Sequence, residues 1–226
     1  MCNTNDEKST PNDTEVKNDG LKEPVMPDVS KLPIQCITIV GQVEGHMVLP
    51  EQNKTTKYEH VIPLLLAIEE SDEIKGFVLI LNTMGGDVEA GLAIAEMVSG
   101  MATPSVSLVL GGGHSIGITM ATSADKSYIA PTATMMVHPV RMNGVVIGVE
   151  QTYNYLRRMQ ERIISFVCSH SNIDDETLLR LMNETEEISN DTGTVLIGQE
   201  AVDYGLIDSV GTIAMCLEDL KEMIED

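Results

Sequence analysis

The sequence has no tryptophan and two phenylalanines, and aromatic residues make up 3% of its 226 positions. A core built from it must come from Val, Ile, Leu, Ala and the 14 methionines. Basic residues are also scarce: 14 Lys and Arg stand against 35 Asp and Glu, a formal net charge of −21. Nucleic acid is excluded as a partner class, because phosphate binding needs a concentrated basic surface. Anionic membrane surfaces are disfavoured on the same ground. No apolar run approaches the roughly 20 residues of a membrane-spanning helix. The four cysteines, Cys2, Cys36, Cys168 and Cys216, are scattered without a CxxC pair, so neither a zinc site nor a disulfide framework is expected. The first residues, MCNTNDEKST, lack the basic start and apolar stretch of a secretory signal. Reduced thiols and no signal together predict a cytoplasmic protein, and no pattern calls for a metal or a cofactor. What is present is a 42% hydrophobic content in recurrent runs, which excludes disorder throughout. The length suffices for one sizeable core.

Residues 1–32 are polar, with almost no large apolar side chain and a net charge of −3, and are expected to form a disordered leader. Residues 33–226 then form the folded domain. Its acidity concentrates at the far end, where residues 171–226 carry a net of −13, read as a solvated face. Short β-branched runs alternate with helical patterns along this domain. Strands are expected over residues 34–43, 77–82, 105–110, 126–129 and 134–137, and near Val195. Helices are expected over residues 61–70, 88–100, 115–123, 149–169, 174–182 and 199–204, and from Ala214 onward. The long helix carries Tyr155, Met159, Ile163 and Phe166 on one stripe. FVLILN and SVSLVL are nearly all apolar, the pattern of strands covered on both faces. The alternation predicts an α/β domain with a largely parallel sheet.

Two glycine-rich turns each follow a buried strand and precede a helix: Asn82-Thr83-Met84-Gly85-Gly86-Asp87, and Gly111-Gly112-Gly113-His114-Ser115-Ile116-Gly117. Ligands bind at the carboxyl ends of parallel strands, where helix N-termini offer unpaired N–H groups. Two such turns on neighbouring strands can point N–H groups into one crevice, the geometry of an oxyanion hole. Ser115, inside the second turn, is a candidate nucleophile; its alternative role is to cap the following helix. Of the five histidines, His138 ends a short apolar strand before Pro139 and is well placed to meet that turn as a base. His114 is expected to pack the turn and His170 to close the long helix. The string also satisfies G-x-S-x-G, but an α/β-hydrolase needs its histidine after a late strand, and none follows His170.

These residues resemble the Clp-type serine peptidases. That family's pattern is a strand, a Ser-Pro-Gly-Gly turn, a Gly-x-x-x-Ser-x-Gly turn, a His-x-Pro-like strand end, a long helix and Glu-Ala-x-x-Tyr-Gly-Leu-x-Asp. Here the corresponding pieces are residues 82–86, residues 111–117, Met136-Val137-His138-Pro139 and residues 200–208, in the same order, with 29 positions from Gly86 to Ser115. The GGGHS variant is most similar to the translocation-enhancing branch of that family. The resemblance implies a Clp/crotonase-like fold of repeated β-β-α units, with the long helix as a handle between stacked rings. It implies a serine endopeptidase acting on peptides or unfolded proteins, with Ser115 as nucleophile and His138 as general base. The N–H groups of Gly86 and Ile116 would form the oxyanion hole, and substrate would dock as a strand beside Gly85, Asp87 and Val88.

The family's third triad position falls on Gly193, so Asp191, two residues earlier, is the candidate acid. Met84 stands where the family has proline. Residues 44–57 depart from the region where the family docks an ATPase unfoldase, which sets that possible partner apart from the homo-oligomeric ring. Other readings fit the same turns: a crotonase-like acyl-CoA enzyme or a catalytically silent scaffold. A Ser/Lys peptidase would need a downstream lysine, and of Lys126 and Lys221 the first stands too close to Ser115 in sequence, so His138 is preferred.

Overall fold

The computed structural model describes residues 32–142, 144, 146–185 and 192–225. The leader expected over residues 1–32 therefore lies, apart from Leu32, outside the described residues, as does Asp191.

The chain opens with β1 (Ile34–Glu44), the short β2 (Thr55–Lys57) and α1 (Tyr58–Glu69), followed by β3 (Gly76–Gly86), α2 (Val88–Ser99), β4 (Ser105–Gly113) and α3 (Gly117–Thr122). Then come β5 (Lys126–Ile129), β6 (Thr134–Val137), α4 (Val149–Ser169) and α5 (Asp175–Met182). The last elements are β7 (Thr194–Ile197), α6 (Gln199–Asp203), β8 (Ser209–Val210) and α7 (Ile213–Glu225). Six strands lie in the order β2-β1-β3-β4-β5-β8, every neighbouring pair parallel. The expected α/β class and parallel sheet are thus present. β6 and β7 form a separate antiparallel pair, joined to the end of β4 where Gly112 meets Thr134.

The apolar strands run where helices cover them. Phe77, Leu79 and Leu81 of β3 are fully buried in the main core with Leu65 of α1 and Ile94 of α2. Val78 of β3 turns to the other face, where Cys216 and Leu220 of α7 cover it with Leu108 and Tyr128. A sheet buried on both faces needs no alternation of polar residues, which is why FVLILN reads as a continuous run.

Several boundaries differ from expectation. Both glycine runs are extensions of strands: β3 continues to Gly86 and β4 to Gly113. The third helix starts at Gly117, two residues after Ser115. The long helix α4 matches its expected bounds, and its stripe meets the core only at its far end, through Ile163 and Phe166. Tyr155 is 54% exposed, and only Phe166 and Val167 are buried, so the first half of α4 stands clear of the domain.

Candidate active site

The site grows from the ends of β3 and β4. Gly85 and Gly86 pair with Gln42 and Val43 of β1, past a register shift at Gly41 and Gln42. Gly86 has φ +152, and a Cβ there would lie 2.2 Å from the Val43 carbonyl oxygen, so no side chain fits. Two polar residues sew the strand ends together. Asn82 Oδ1 accepts from the Gly112 N–H at 3.0 Å. Thr83 Oγ1 donates to the Gly41 carbonyl at 2.6 Å and accepts from the Gly85 N–H at 3.0 Å. The turn motif alone assigns neither residue a role; the signal for both is a polar pair closing an otherwise apolar strand just before glycines.

Beyond β4 the chain turns sharply. The His114 N–H donates to the Thr83 carbonyl at 3.1 Å, and the Ser115 N–H to the Met136 carbonyl at 2.9 Å. Ser115 adopts φ 57, the one non-glycine residue with positive φ among the described residues. That left-handed conformation costs a side-chain-bearing residue roughly 1–3 kcal/mol. Ser115 is not the helix cap: Ile116 occupies that position, and no side chain caps α3. The next turn closes with Gly117 N–H on the His114 carbonyl at 2.9 Å and Ile118 N–H on the Ser115 carbonyl at 3.1 Å. Between them, the Ile116 N–H finds no backbone acceptor among the described residues. A strained serine beside an uncommitted amide is the local geometry of a nucleophile with an oxyanion donor.

His138 follows β6 directly. Its Nδ1 lies 2.7 Å from the Pro139 carbonyl oxygen, which can only accept, so the proton sits on Nδ1 and the basic lone pair on Nε2. Ser115, Ile116, Gly86, Val88 and His138 all line one cavity of about 150 Å³. Ile163 and Val167 of α4, with Leu178 and Met182 of α5, complete its wall. Gly85 packs against Ser115, where an added Cβ would come within 2.6 Å of the Ser115 Cβ. Asp87 does not line the cavity. Its Oδ1 caps α2 by accepting from the Ala90 N–H at 2.9 Å, and its own N–H donates to the Val43 carbonyl at 3.0 Å.

Gly193, on which the resemblance sets the third triad position, is held with φ +132 by its N–H on the Glu184 carbonyl at 2.7 Å. A Cβ there would meet the Val137 carbonyl oxygen at 2.3 Å and the His138 Cβ at 2.9 Å, so the position cannot carry a side chain. The same contact brings the segment just after Asp191 against His138.

Other histidines and Lys126 take structural places. His114 packs the turn as expected, its Nδ1 accepting from the Met136 N–H at 3.0 Å. Burial, with His138 beside it, holds its pKa below the ordinary value. His170 stacks on Phe166 at a centroid distance of 4.1 Å and closes α4. Lys126 pairs with Asp219 and stands opposite Val106, near the start of β4, about 20 Å of strand away from the Ser115 turn. That placement removes Lys126 as a base for Ser115.

Among the described residues, no group of three or more His, Cys, Asp or Glu converges as a metal site, and no helix is long and apolar enough to cross a membrane.

A family model described as Clp protease matches residues 33–214. The chain is 58% identical over 200 residues to the translocation-enhancing protein TepA of Halalkalibacterium halodurans, covering 88% of this chain and 78% of that protein. It is 27% identical over 183 residues to the ATP-dependent Clp protease proteolytic subunit of Leuconostoc citreum, covering 78% and 82%. The corresponding subunit of Streptococcus agalactiae serotype V is 26% identical over 181 residues, covering 77% and 83%. A family model over most of the chain and a relative 58% identical over 88% of it agree: the chain belongs to the Clp protease family.

Proposed function

We propose that the protein is a serine endopeptidase that cleaves short peptides and unfolded chains through an acyl-enzyme. The carrying observation is that strained Ser115, His138 and the turns of Gly86 and Ile116 share one cavity. Ser115 Oγ attacks the scissile carbonyl carbon as His138 Nε2 takes its proton. The oxyanion is met by the N–H groups of Gly86 and Ile116. Collapse breaks the C–N bond, and His138 returns the proton to the leaving amine. Water, activated by the same Nε2, then releases the acid and regenerates Ser115. Substrate lies extended beside Gly85, Asp87 and Val88, with Asp87 acting by fixing the α2 start. Because backbone groups make most of that contact, tolerance for varied side chains is expected.

Asp191 is the proposed third member of the triad. Asp191→Asn is expected to lower kcat by about a hundredfold or more with little change in the fold, as loss of an orienting acid does elsewhere. Activity within about threefold of wild type would remove it. The proteolytic reading is tested by hydrolysis of a fluorogenic peptide and of denatured casein without ATP: wild type cleaves, Ser115→Ala does not. Equal rates from both proteins would overturn it.

Ring assembly belongs to the same proposal. Ile147, Val149 and Tyr153, at the start of the projecting half of α4, are 97%, 81% and 65% exposed. Adjacent exposed apolar residues of this size mark an interface, and the handle reading gives it a second copy of the chain. An ATPase unfoldase would serve folded substrates only.

A further inference from the structure

Met136 stands two residues before His138 on β6, and both of its backbone groups are taken by the turn that carries Ser115. Its carbonyl accepts from the Ser115 N–H at 2.9 Å. Its N–H donates at 3.0 Å to an imidazole, His114 Nδ1, where an ordinary strand partner would offer a carbonyl. Against β4 itself, β6 makes only the Gly112 and Thr134 bridge. The two bonds to Met136 are therefore the clasp nearest His138 on this edge. Space is provided for the ring: a Cβ on Gly112 would lie 2.6 Å from His114 Nε2. An Nδ1 that accepts from an amide carries no proton, so the ring is the neutral Nε2–H tautomer. The downward shift of its pKa by burial and by His138 agrees with that state.

We propose that His114 is a positioning residue, whose Nδ1 acceptor holds β6 in register with the nucleophile turn and so sets where His138 stands relative to Ser115. This rests on the Ser115 and His138 reading above. A ring that merely filled space would serve as well if replaced by another side chain of similar bulk. A ring that acts through Nδ1 is replaceable only by an acceptor at the same distance from the backbone. Asn places its Oδ1 where Nδ1 stands, Gln carries its amide one bond too far, and Leu has no acceptor.

The test compares His114→Asn, His114→Leu and His114→Gln as full chains. Hydrogen exchange at the Met136 amide is followed together with fluorophosphonate labelling of Ser115 and kcat and KM for a peptide. In His114→Leu, exchange at Met136 is expected to quicken about tenfold or more while protection of β3 is unchanged, which reports an intact fold. Labelling and kcat fall about ten- to a hundredfold at unchanged KM, since a displaced base costs the chemical step and not binding. His114→Gln behaves like the Leu variant, and His114→Asn recovers to within about threefold of wild type. Unchanged exchange at Met136 in His114→Leu overturns the clasp. Faster exchange with undiminished labelling overturns the positioning role, as does loss of rate in His114→Asn equal to that in His114→Leu. Labelling that survives in Ser115→Ala instead removes the nucleophile reading, and the clasp is then judged by exchange alone.

Discussion

At the residue scale, the site depends on positions that side chains cannot share. Gly86 touches Val43 so closely that Gly86→Ala must push the two strands apart or rotate its own amide away from the cavity. Labelling of Ser115 by a fluorophosphonate is expected to fall about a hundredfold in that variant, the cost of one oxyanion donor, and an unchanged rate would remove Gly86 from the oxyanion hole. Cys216 illustrates a buried group with no part in catalysis: burial pushes its thiol up to about 11. An unfolded thiol ionises near 8.5, so the folded form binds the proton more tightly. Its stabilising contribution is complete below that pH and is lost as pH rises toward the folded value. Cys216 should resist a disulfide reagent at pH 8 until the protein unfolds, while exposed Cys36 and half-buried Cys168 react first; peptide mapping of the modified thiols checks this order. Ser115 and His138 stand out in the sequence because each lies within two residues of the end of an apolar strand, beside turn-forming residues. The partner of His114 does not, since its Nδ1 contact joins residues 22 positions apart and depends on tertiary register.

At the scale of elements, the types were readable and the ends less so. The glycine runs read as turns because glycine is a poor strand former, yet pairing with β1 carries β3 as far as Gly86, and pairing with Thr83 of β3 carries β4 to Gly113. The short strands β2 and β8, of three and two residues, leave too little pattern to detect. Much of the acidity also has local work that composition could not reveal. Asp125 accepts from the N–H and Oγ of Ser105, and Asp208 does the same for Ser127, so each fixes the start of a strand from beside the next one. Glu69 ties α1 to the turn before β4 through Ala102 and Thr103, and these bonds lower its pKa. Packing of α2 on the nucleophile turn gives a prediction in which two effects oppose. Gly91→Ala gains about 1 kcal/mol of helix propensity. Its Cβ would come within 2.4 Å of Ile116 Cγ1, a side chain that is itself buried, and overpacking costs about 1–3 kcal/mol. The clash wins: thermal unfolding should shift down by a few degrees and Ser115 labelling should slow, whereas a raised melting temperature would show that Ile116 can yield.

At the scale of the whole molecule, the −21 charge first served to exclude partners, and the fold gives it a further consequence. Copies of so acidic a chain repel, so assembly must draw on apolar contact and should strengthen with salt that screens the repulsion. Sedimentation is expected to show a species many times the 24.6 kDa chain. Ile147→Glu with Tyr153→Glu should reduce it to a smaller assembly with unchanged circular dichroism; an unaltered sedimentation profile would place the contacts elsewhere. The projecting half of α4 was legible only as amphipathic helix, because periodicity reports an apolar stripe and not what covers it.

Every step of the proposed chemistry runs through Ser115 as the nucleophile. Intact-mass and peptide-mass measurement after fluorophosphonate treatment tests this most directly. One adduct per chain, on the peptide containing Ser115 and absent from Ser115→Ala, is the predicted result; no adduct on the folded wild-type protein, or an adduct that persists in Ser115→Ala, would contradict it.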